Sequence, residues 1–346
     1  MQDNRLAAAE ANLRYVNDGE AGISRVKRGK GFAYVFDNGE AVKDAATLER
    51  IRSLVIPPAW TKVWICKSAN GHIQAVGRDA KGRKQYKYHP KWREARDGTK
   101  YSRMLDFAKV LPAIRSRVSA DLRREGMPRE KVLATIVKLL DLTAIRIGNE
   151  EYAKQNRSYG LTTLKTKHVD VDGSKVKFRF TGKSGIKHEV AITHKGIAKI
   201  LKRCQEIPGQ ELFQYLDGDS PVAINSSDVN DYIRDAAGGD FTAKDFRTWA
   251  GTVLAACALS EVTDCETDTA KKAAIVNAVD NVAASLGNTR AICRKCYIHP
   301  AVVDAFSDGR LVALLGSGRR VAGLSKEESR LRRLLSVNVK ESKRAA

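Results

Sequence analysis

Long apolar runs are missing from this chain. Nothing approaches the roughly 18 to 20 residues that a bilayer-spanning helix needs. The opening stretch, Met1 to Glu10, is polar and carries no signal-peptide core. No lipidation motif is present, nor a long basic amphipathic helix of the kind that lies on anionic membranes. These absences set the expectation of a soluble, cytoplasmic protein. Cysteine is sparse, with six residues at 66, 204, 257, 265, 293 and 296, which read as free thiols in a reducing compartment. Cys293-x-x-Cys296 has the spacing of half a zinc site, but no second Cys/His pair is suitably placed. Internal repeats are absent.

Acidic residues are in deficit. Asp and Glu number 40 against 61 Lys and Arg, a formal net charge of +21 in 346 residues. The excess is spread along the chain rather than held in one tail. It favours a polyanionic partner, nucleic acid above all, with a nucleoid-associated location to match. With 43% hydrophobic residues the chain is globular, and its length allows two cores.

Residues 1–98 read as a small β-rich domain. Gly31 to Phe36 alternates, and Asp37-Asn38-Gly39 supplies a hairpin-type turn. A helix over Ala45 to Arg52 is ended by Ile56-Pro57-Pro58-Ala59-Trp60. Val63 to Cys66 and His72 to Val76 read as strands around Ala69-Asn70-Gly71. A dense basic stretch follows, including Arg78, Lys81, Arg83, Lys84 and Lys87, with Tyr86, Tyr88 and Trp92 interleaved. Lys and Arg neutralise phosphates and aromatics pack on sugars or bases, which points to nucleic acid; the alternative is a solvated charged face. Arg96-Asp97-Gly98-Thr99-Lys100 reads as a turn-prone junction between domains.

Residues 99–346 read as a larger, mainly helical domain, giving an α+β chain. Val132, Ile136, Leu139 and Leu140 form one apolar helical face. Beyond it Arg146 sits in apolar company, where an arginine needs a carboxylate or a phosphate. A three-stranded sheet is expected near 168–192: Val176, Phe178 and Phe180 share one face, Lys175, Lys177 and Arg179 the other. Lys183 then occupies a glycine-flanked hairpin tip. Gly182-Lys183-Ser184 is not a phosphate-binding P-loop, because position 177 is Lys177 rather than glycine and a strand follows. Beyond Pro208 the pattern is largely helical. Arg247 lies at the edge of an apolar helix, and Gly287 caps an Ala-rich one. Ser325 and Glu328 form a capping box before Leu331, Leu334 and Leu335.

One stretch gathers these pieces: Ser285-Leu286-Gly287-Asn288-Thr289-Arg290-Ala291-Ile292-Cys293-Arg294-Lys295-Cys296-Tyr297. A phenol has a pKa near 10 and is a weak nucleophile at neutral pH. Nearby cations favour phenolate and attract phosphate. Tyr297 is therefore a candidate nucleophile toward a phosphodiester, against the alternative of a part-buried tyrosine in a basic loop. Arg290, Arg294 and Lys295 are candidate backbone contacts.

Read together, these motifs resemble those of a type IB DNA topoisomerase of the small bacterial and poxviral kind. The resemblance runs over essentially the whole length. It includes Ile56 to Trp60, Gly77 to Tyr86, Arg146 to Asn149, Ser158 to Leu164, Phe180 to Lys183, Asp245 to Thr248 and the Tyr297 stretch. It implies a β-rich N-terminal domain and a helical catalytic domain of the tyrosine recombinase/topoisomerase IB kind, closing on duplex DNA as a C-shaped clamp. It implies catalytic roles for Arg146, Lys183, Arg247, Asn288 and Tyr297, a monomer, and neither metal nor ATP. Where eukaryotic and poxviral members usually carry histidine, this chain has Asn288, which can hydrogen-bond but cannot be a cation. The resemblance makes Gln74, Arg78, Lys81, Arg83, Lys84, Tyr86 and Tyr88 candidate DNA contacts. A tyrosine recombinase would usually carry histidine three residues before the second arginine. Here that residue is Lys244, itself a candidate DNA contact. A non-catalytic architectural DNA-binding protein is the remaining alternative.

Overall fold

The structure is a computed structural model. It describes every residue except 1–4, 6, 7, 30, 81, 219, 264, 317, 318 and 346, with backbone alone for 93–100, 102 and 339–345. The chain divides into two compact units, Met1–Ser102 and Arg103–Ala346.

The first unit is built on five antiparallel strands: β1 (Gly22–Arg28), β2 (Gly31–Phe36), β3 (Thr61–Cys66), β4 (Ile73–Arg78) and β5 (Lys84–Tyr88), in the order β2-β1-β3-β4-β5. A helix, α1 (Ala45–Ser53), packs on the sheet through buried Ile51. Asp44 caps it by accepting from the Thr47 amide at 2.7 Å. Ile23, Val63, Ile65 and Ala75 meet Val42 and Ile51 in the core. The proline segment is held by Arg25, which donates to the carbonyls of Ile56, Pro57 and Trp60 at 3.2, 3.0 and 2.6 Å. Two strands escape the sequence reading. β1 and β5 are rich in Lys and Arg; β1 is mostly exposed and β5 has no fully buried residue, so neither shows a buried apolar alternation.

A 33-residue helix, α2 (Pro90–Leu122), follows. It runs through Arg96-Asp97-Gly98-Thr99-Lys100, so the turn expected there does not occur. One glycine costs a helix about 1 kcal/mol, too little to stop a helix of this length.

The second unit is mainly helical. α3 (Arg129–Thr143) buries Leu133, Ile136, Leu139 and Leu140 completely or nearly so. Each such side chain contributes roughly 1.5–3 kcal/mol relative to exposure. α4 (Glu150–Asn156) is short. β6 (Val169–Asp172), β7 (Lys175–Thr181) and β8 (Lys187–Thr193) form the expected sheet, in the order β6-β7-β8. Val176, Phe178 and Phe180 are its buried face. α5 (Lys195–Glu206) packs against β6 and β7.

Beyond Pro208 a hairpin of β9 (Gln214–Asp217) and β10 (Ser220–Ala223) interrupts the helices expected there. The remaining helices are α6 (Ser226–Ala237), α7 (Ala243–Ser260), α8 (Asp268–Leu286), α9 (Arg290–Cys296), α10 (Pro300–Ser307), α11 (Leu311–Leu315) and α12 (Lys326–Ala345). Among the described residues no helix is long and apolar enough to cross a membrane.

The capping box at the start of α12 has a second use. The Ser325 amide donates to Glu328 at 2.7 Å, and the Glu328 amide donates to the Ser325 hydroxyl at 3.1 Å. The same carboxylate accepts from Arg115 of α2 at 2.8 Å and from the Trp249 indole of α7 at 2.9 Å. Arg115 also grips Asp141 of α3 at 2.7 Å. Four helices thus converge on one half-buried ion cluster. Burial alone would raise the Glu328 carboxyl, but Arg115, the Ser325 amide and Trp249 hold it below its ordinary value.

Glu328→Ala should lower the unfolding free energy by about 3 kcal/mol, the lower end for breaking a buried pair, because Asp141 still faces Arg115. Urea titration reads this directly, and a change under about 0.5 kcal/mol would mean that the cluster is merely solvated. The native carboxyl is the stronger acid. Its contribution is therefore complete above pH about 4.5 and fades as pH falls toward the lower native value. The variant's stability should be flatter across that window.

Candidate active site

Four of the five residues singled out for catalysis meet in the second unit, and the local backbone explains how. α3 ends at Ala144 in the left-handed region, φ 50°. For a residue with a Cβ this conformation costs of order 1–3 kcal/mol unless the surroundings enforce it. Here the Ala144 carbonyl accepts from the Arg247 guanidinium. The chain then runs extended through Arg146 and Ile147. Their carbonyls accept from the amides of Leu161 and Thr162 at 2.8 and 2.7 Å. The approach is so close that a Cβ on Gly160 would lie 2.5 Å from the Arg146 carbonyl oxygen. Arg146 therefore projects from a fixed strip of backbone.

Arg247 sits in the second turn of α7, 5% exposed, between buried Phe246 and Trp249. It donates to the carbonyl of Leu286 at 2.9 Å. α8 ends there, with Gly287 in the left-handed region at φ 57°. The Gly287 carbonyl lies 3.4 Å from both terminal nitrogens of Arg146, and Asn288 Oδ1 accepts from Arg146 as well. Both guanidinium groups are thus held by main-chain carbonyls at helix C-termini, where the macrodipole is negative. Neither forms an ion pair with a carboxylate among the described residues. Burial first, and Arg247 second, hold the Arg146 pKa below its ordinary value, though an arginine stays charged.

Tyr297 follows α9 directly and is half-buried. The Arg247 guanidinium carbon stands 5.2 Å from its ring centroid. Its main chain is pinned on the α7 side. The Thr252 hydroxyl is 3.1 Å from the Tyr297 carbonyl and accepts from the His299 amide at 3.1 Å. A Cβ on Gly251 would lie 2.7 Å from that carbonyl oxygen.

Two buried donors at this centre, Arg247 Nε and Asn288 Nδ2, have no acceptor in hydrogen-bond geometry, although the Cys293 thiol stands beside Asn288 and is weakly favoured as thiolate by it. An unsatisfied buried donor costs about 1–3 kcal/mol. Their coincidence at one centre marks a place for an anionic acceptor.

Lys183 is not drawn into this cluster by any hydrogen bond or ion pair among the described residues. It is exposed on the one-turn tip between β7 and β8, where Ser184 is left-handed at φ 65°. Lys244 is exposed in the first turn of α7. Arg294 and Lys295 are exposed on α9. Arg290 donates twice to Asp280 of α8, so its charge is partly spent within the fold.

In the first unit the candidates separate. Gln74 is corrected. It is 3% exposed, accepts from Arg50 at 2.7 Å and offers its amide to the carbonyls of Ser68, Ala69 and Gly71. It shapes the β3–β4 turn, with its amide nitrogen engaged by main-chain carbonyls. Arg83 pairs with Asp79 at 2.7 Å, Lys84 with Asp18 at 2.7 Å, and Arg78 donates to the Gly82 carbonyl at 2.8 Å. Tyr86 is 40% exposed and stacks on Tyr88 at 5.8 Å. Lys81 lies outside the described residues.

Sequence reasoning missed His188. It lies on the inward side of β8, whose burial alternates strictly. It stacks on Phe180 at 5.0 Å. Burial, then Arg146 and Arg247, hold its imidazole below the ordinary histidine pKa. The inward phase of Lys187-His188-Glu189-Val190 was the available signal. Cys293 is buried beside the same arginines, and burial pushes its thiol up, against their opposing effect. Among the described residues no cluster of His, Cys, Asp and Glu could hold a metal ion.

Comparison with known proteins gives the family. Residues 89–310 match the family of the eukaryotic DNA topoisomerase I catalytic core. Residues 31–79 match the bacterial DNA topoisomerase IB N-terminal domain. The chain is 35% identical over 296 residues to DNA topoisomerase 1B of Acanthamoeba polyphaga mimivirus, covering 83% of this chain and 88% of that one. It is 29% identical over 120 residues to DNA topoisomerase 1B of Vaccinia virus (strain Copenhagen), 34% of this chain and 37% of the relative. DNA topoisomerase 1 of Candida albicans is 29% identical over 181 residues, 51% of this chain and 22% of the relative.

Replacing a helical glycine with alanine ordinarily gains about 1 kcal/mol. Gly251→Ala should do the reverse and lower the melting temperature, because its methyl meets the Tyr297 main chain. A crystal structure of the variant should show the Tyr297 carbonyl pushed off the Thr252 hydroxyl. A raised melting temperature would mean that Gly251 is an ordinary helical position.

Proposed function

The chain belongs to the type IB DNA topoisomerases, isomerases of DNA, and on that premise we propose that Tyr297 is the nucleophile of a metal- and ATP-independent relaxation cycle. The observation that carries the reading is the pair of unpartnered donors, Arg247 Nε and Asn288 Nδ2, beside two carboxylate-free arginines and the Tyr297 ring. A scissile phosphate supplies the missing acceptors.

Phosphoryl transfer requires positioning and stabilisation of charge on the non-bridging oxygens. Arg146 and Arg247 present rigid forks to those oxygens, and Asn288 donates its amide to one of them. The Tyr297 oxygen attacks phosphorus as its proton passes to water, and the bond from phosphorus to the 5′ oxygen breaks. The electron pair goes to that oxygen, which takes a proton from the Lys183 ammonium, since an alkoxide is a poor leaving group. The product is a 3′-phosphotyrosyl enzyme and a free 5′-hydroxyl strand. That strand swivels about the intact one, and its hydroxyl then reverses the chemistry. The covalent bond conserves the phosphodiester's energy, and supercoil strain drives net relaxation.

We further propose that the enzyme works as a monomer in the cytoplasm on the nucleoid. In this reading the two units close around duplex DNA as a C-shaped clamp. Lys244, Arg294 and Lys295 would track the backbone from the second unit. The β4–β5 region, with Arg78, Lys81, Arg83, Lys84 and Tyr86, would do so from the first.

Wild type should relax a supercoiled plasmid in EDTA without ATP. Tyr297→Phe should bind DNA yet yield no protein–DNA adduct on a denaturing gel; an adduct with that variant would sink the assignment. Arg146→Ala should slow single-turnover cleavage by at least about 10²-fold, the usual loss for one transition-state donor. A near-normal rate would refute its role. Binding should fall steeply between low and physiological salt through counterion release, and a flat response would count against a clamp that tracks phosphates.

A further inference from the structure

We propose that His188 is a positioning residue: its ring is the spacer that seats the Lys183 hairpin tip against the Asn288 segment. The inference rests on the reading of Lys183 as the acid to the leaving oxygen.

The geometry is as follows. Lys183 sits on an exposed tip whose own hydrogen bonds are local: the Gly182 amide donates to Ile186 at 2.7 Å, and the Gly185 amide to Gly182 at 3.2 Å. Nothing in that turn fixes its distance from the arginines. His188 does so from the side. On one face its ring meets Gly182, the residue before Lys183; a Cβ there would lie 2.6 Å from Cδ2 and Nε2. On another it meets Gly287, the residue before Asn288, where a Cβ would overlap the ring. Phe180 stacks on it at 5.0 Å with an interplanar angle of 11°. Two glycines at these positions let one imidazole touch both backbones, and each precedes a candidate catalytic side chain.

The chemistry of the neighbourhood demands a neutral spacer. Burial disfavours a cation at position 188, and the charges of Arg146 and Arg247 add to that. A lysine or arginine here would compete for the phosphate. A smaller side chain would leave a gap between Gly182 and Gly287, and the tip would lose its stop. Misplacement of about 1 Å is enough to cost about 10²-fold in rate.

A positioning role through the acid predicts a specific pattern. His188→Ala should cleave an ordinary duplex about 10- to 10²-fold more slowly than wild type. A duplex with a bridging 5′ sulfur at a mapped cleavage position needs no acid, because a thiol ionises near pH 8.5 and leaves as the thiolate. On that duplex His188→Ala should approach the wild-type rate. His188→Phe, which keeps a flat ring but neither nitrogen, should recover most of the loss on the ordinary duplex. Equal slowing of His188→Ala on both duplexes, no slowing on either, or a His188→Phe as slow as His188→Ala would overturn the inference. Lys183→Ala is measured alongside. If sulfur fails to rescue Lys183→Ala, the reading of Lys183 itself falls. If sulfur rescues Lys183→Ala and not His188→Ala, only the His188 inference falls.

Discussion

The second unit depends on holding one buried and one half-buried guanidinium group with no carboxylate among the described residues to pair them. Pairing with Asp or Glu would be the ordinary solution for a buried arginine. It would also cancel the charge that a phosphate must find. The fold uses main-chain carbonyls instead. α3 ends at Ala144 and α8 at Leu286 and Gly287, and the orphan carbonyls of both ends turn onto Arg146 and Arg247. Carbonyl dipoles hold a cation without neutralising it. This choice dictates the rest: a left-handed Ala144, a left-handed Gly287, and a Gly160 small enough to let the Arg146 strip lie flat.

On the proposed roles of the two arginines, that arrangement makes helix packing a catalytic matter. Arg247 lies two residues from Trp249, whose indole is tied to Glu328 of the last helix. Arg146 lies five residues from Asp141, which shares Arg115 with the same Glu328. The ends of α3 and α7 are therefore spaced by one ion cluster, remote from the chemistry. Residues that never meet a substrate set where the two forks stand. Tyr297 is fixed by the same helix, through Gly251 and Thr252, so the proposed nucleophile and one arginine share a rigid support.

Much of this was legible from residue types. Alternation in Lys175 to Phe180 gave a sheet with its faces correctly sided, because one face is buried and a period of two is then obligatory. Caps at Asn225, Gly287 and Ser325 are chemical signatures that need no tertiary context. What escaped did so for physical reasons. β1 and β5 have little buried face to display. Gly98 looks like a breaker, but a long helix tolerates one glycine. The engagement of Gln74 by Arg50 and three carbonyls is not visible until the fold supplies them. The unpartnered nitrogens of Arg247 and Asn288 are likewise properties of packing, invisible in any linear pattern. His188 is intermediate: its phase on the strand was readable, its two glycine neighbours, at 182 and 287, were not.

Rigidity is unevenly distributed across the five candidate catalytic residues. Arg146, Arg247, Asn288 and Tyr297 are tied into helix ends and strips of backbone, whereas Lys183 rides a solvent-exposed turn. On the proposed mechanism this division is useful. Stabilising charge on non-bridging oxygens is needed throughout cleavage and resealing, and a fixed cradle stabilises the transition state in both directions. Proton delivery is needed only at the bridging 5′ oxygen, which moves away as the strand swivels. An acid on a separate tip can meet that oxygen when it is present without disturbing the cradle when it is not. The same tip must return to one place at each resealing. A shape-defined stop between Gly182 and Gly287 achieves this without adding a charge beside the phosphate.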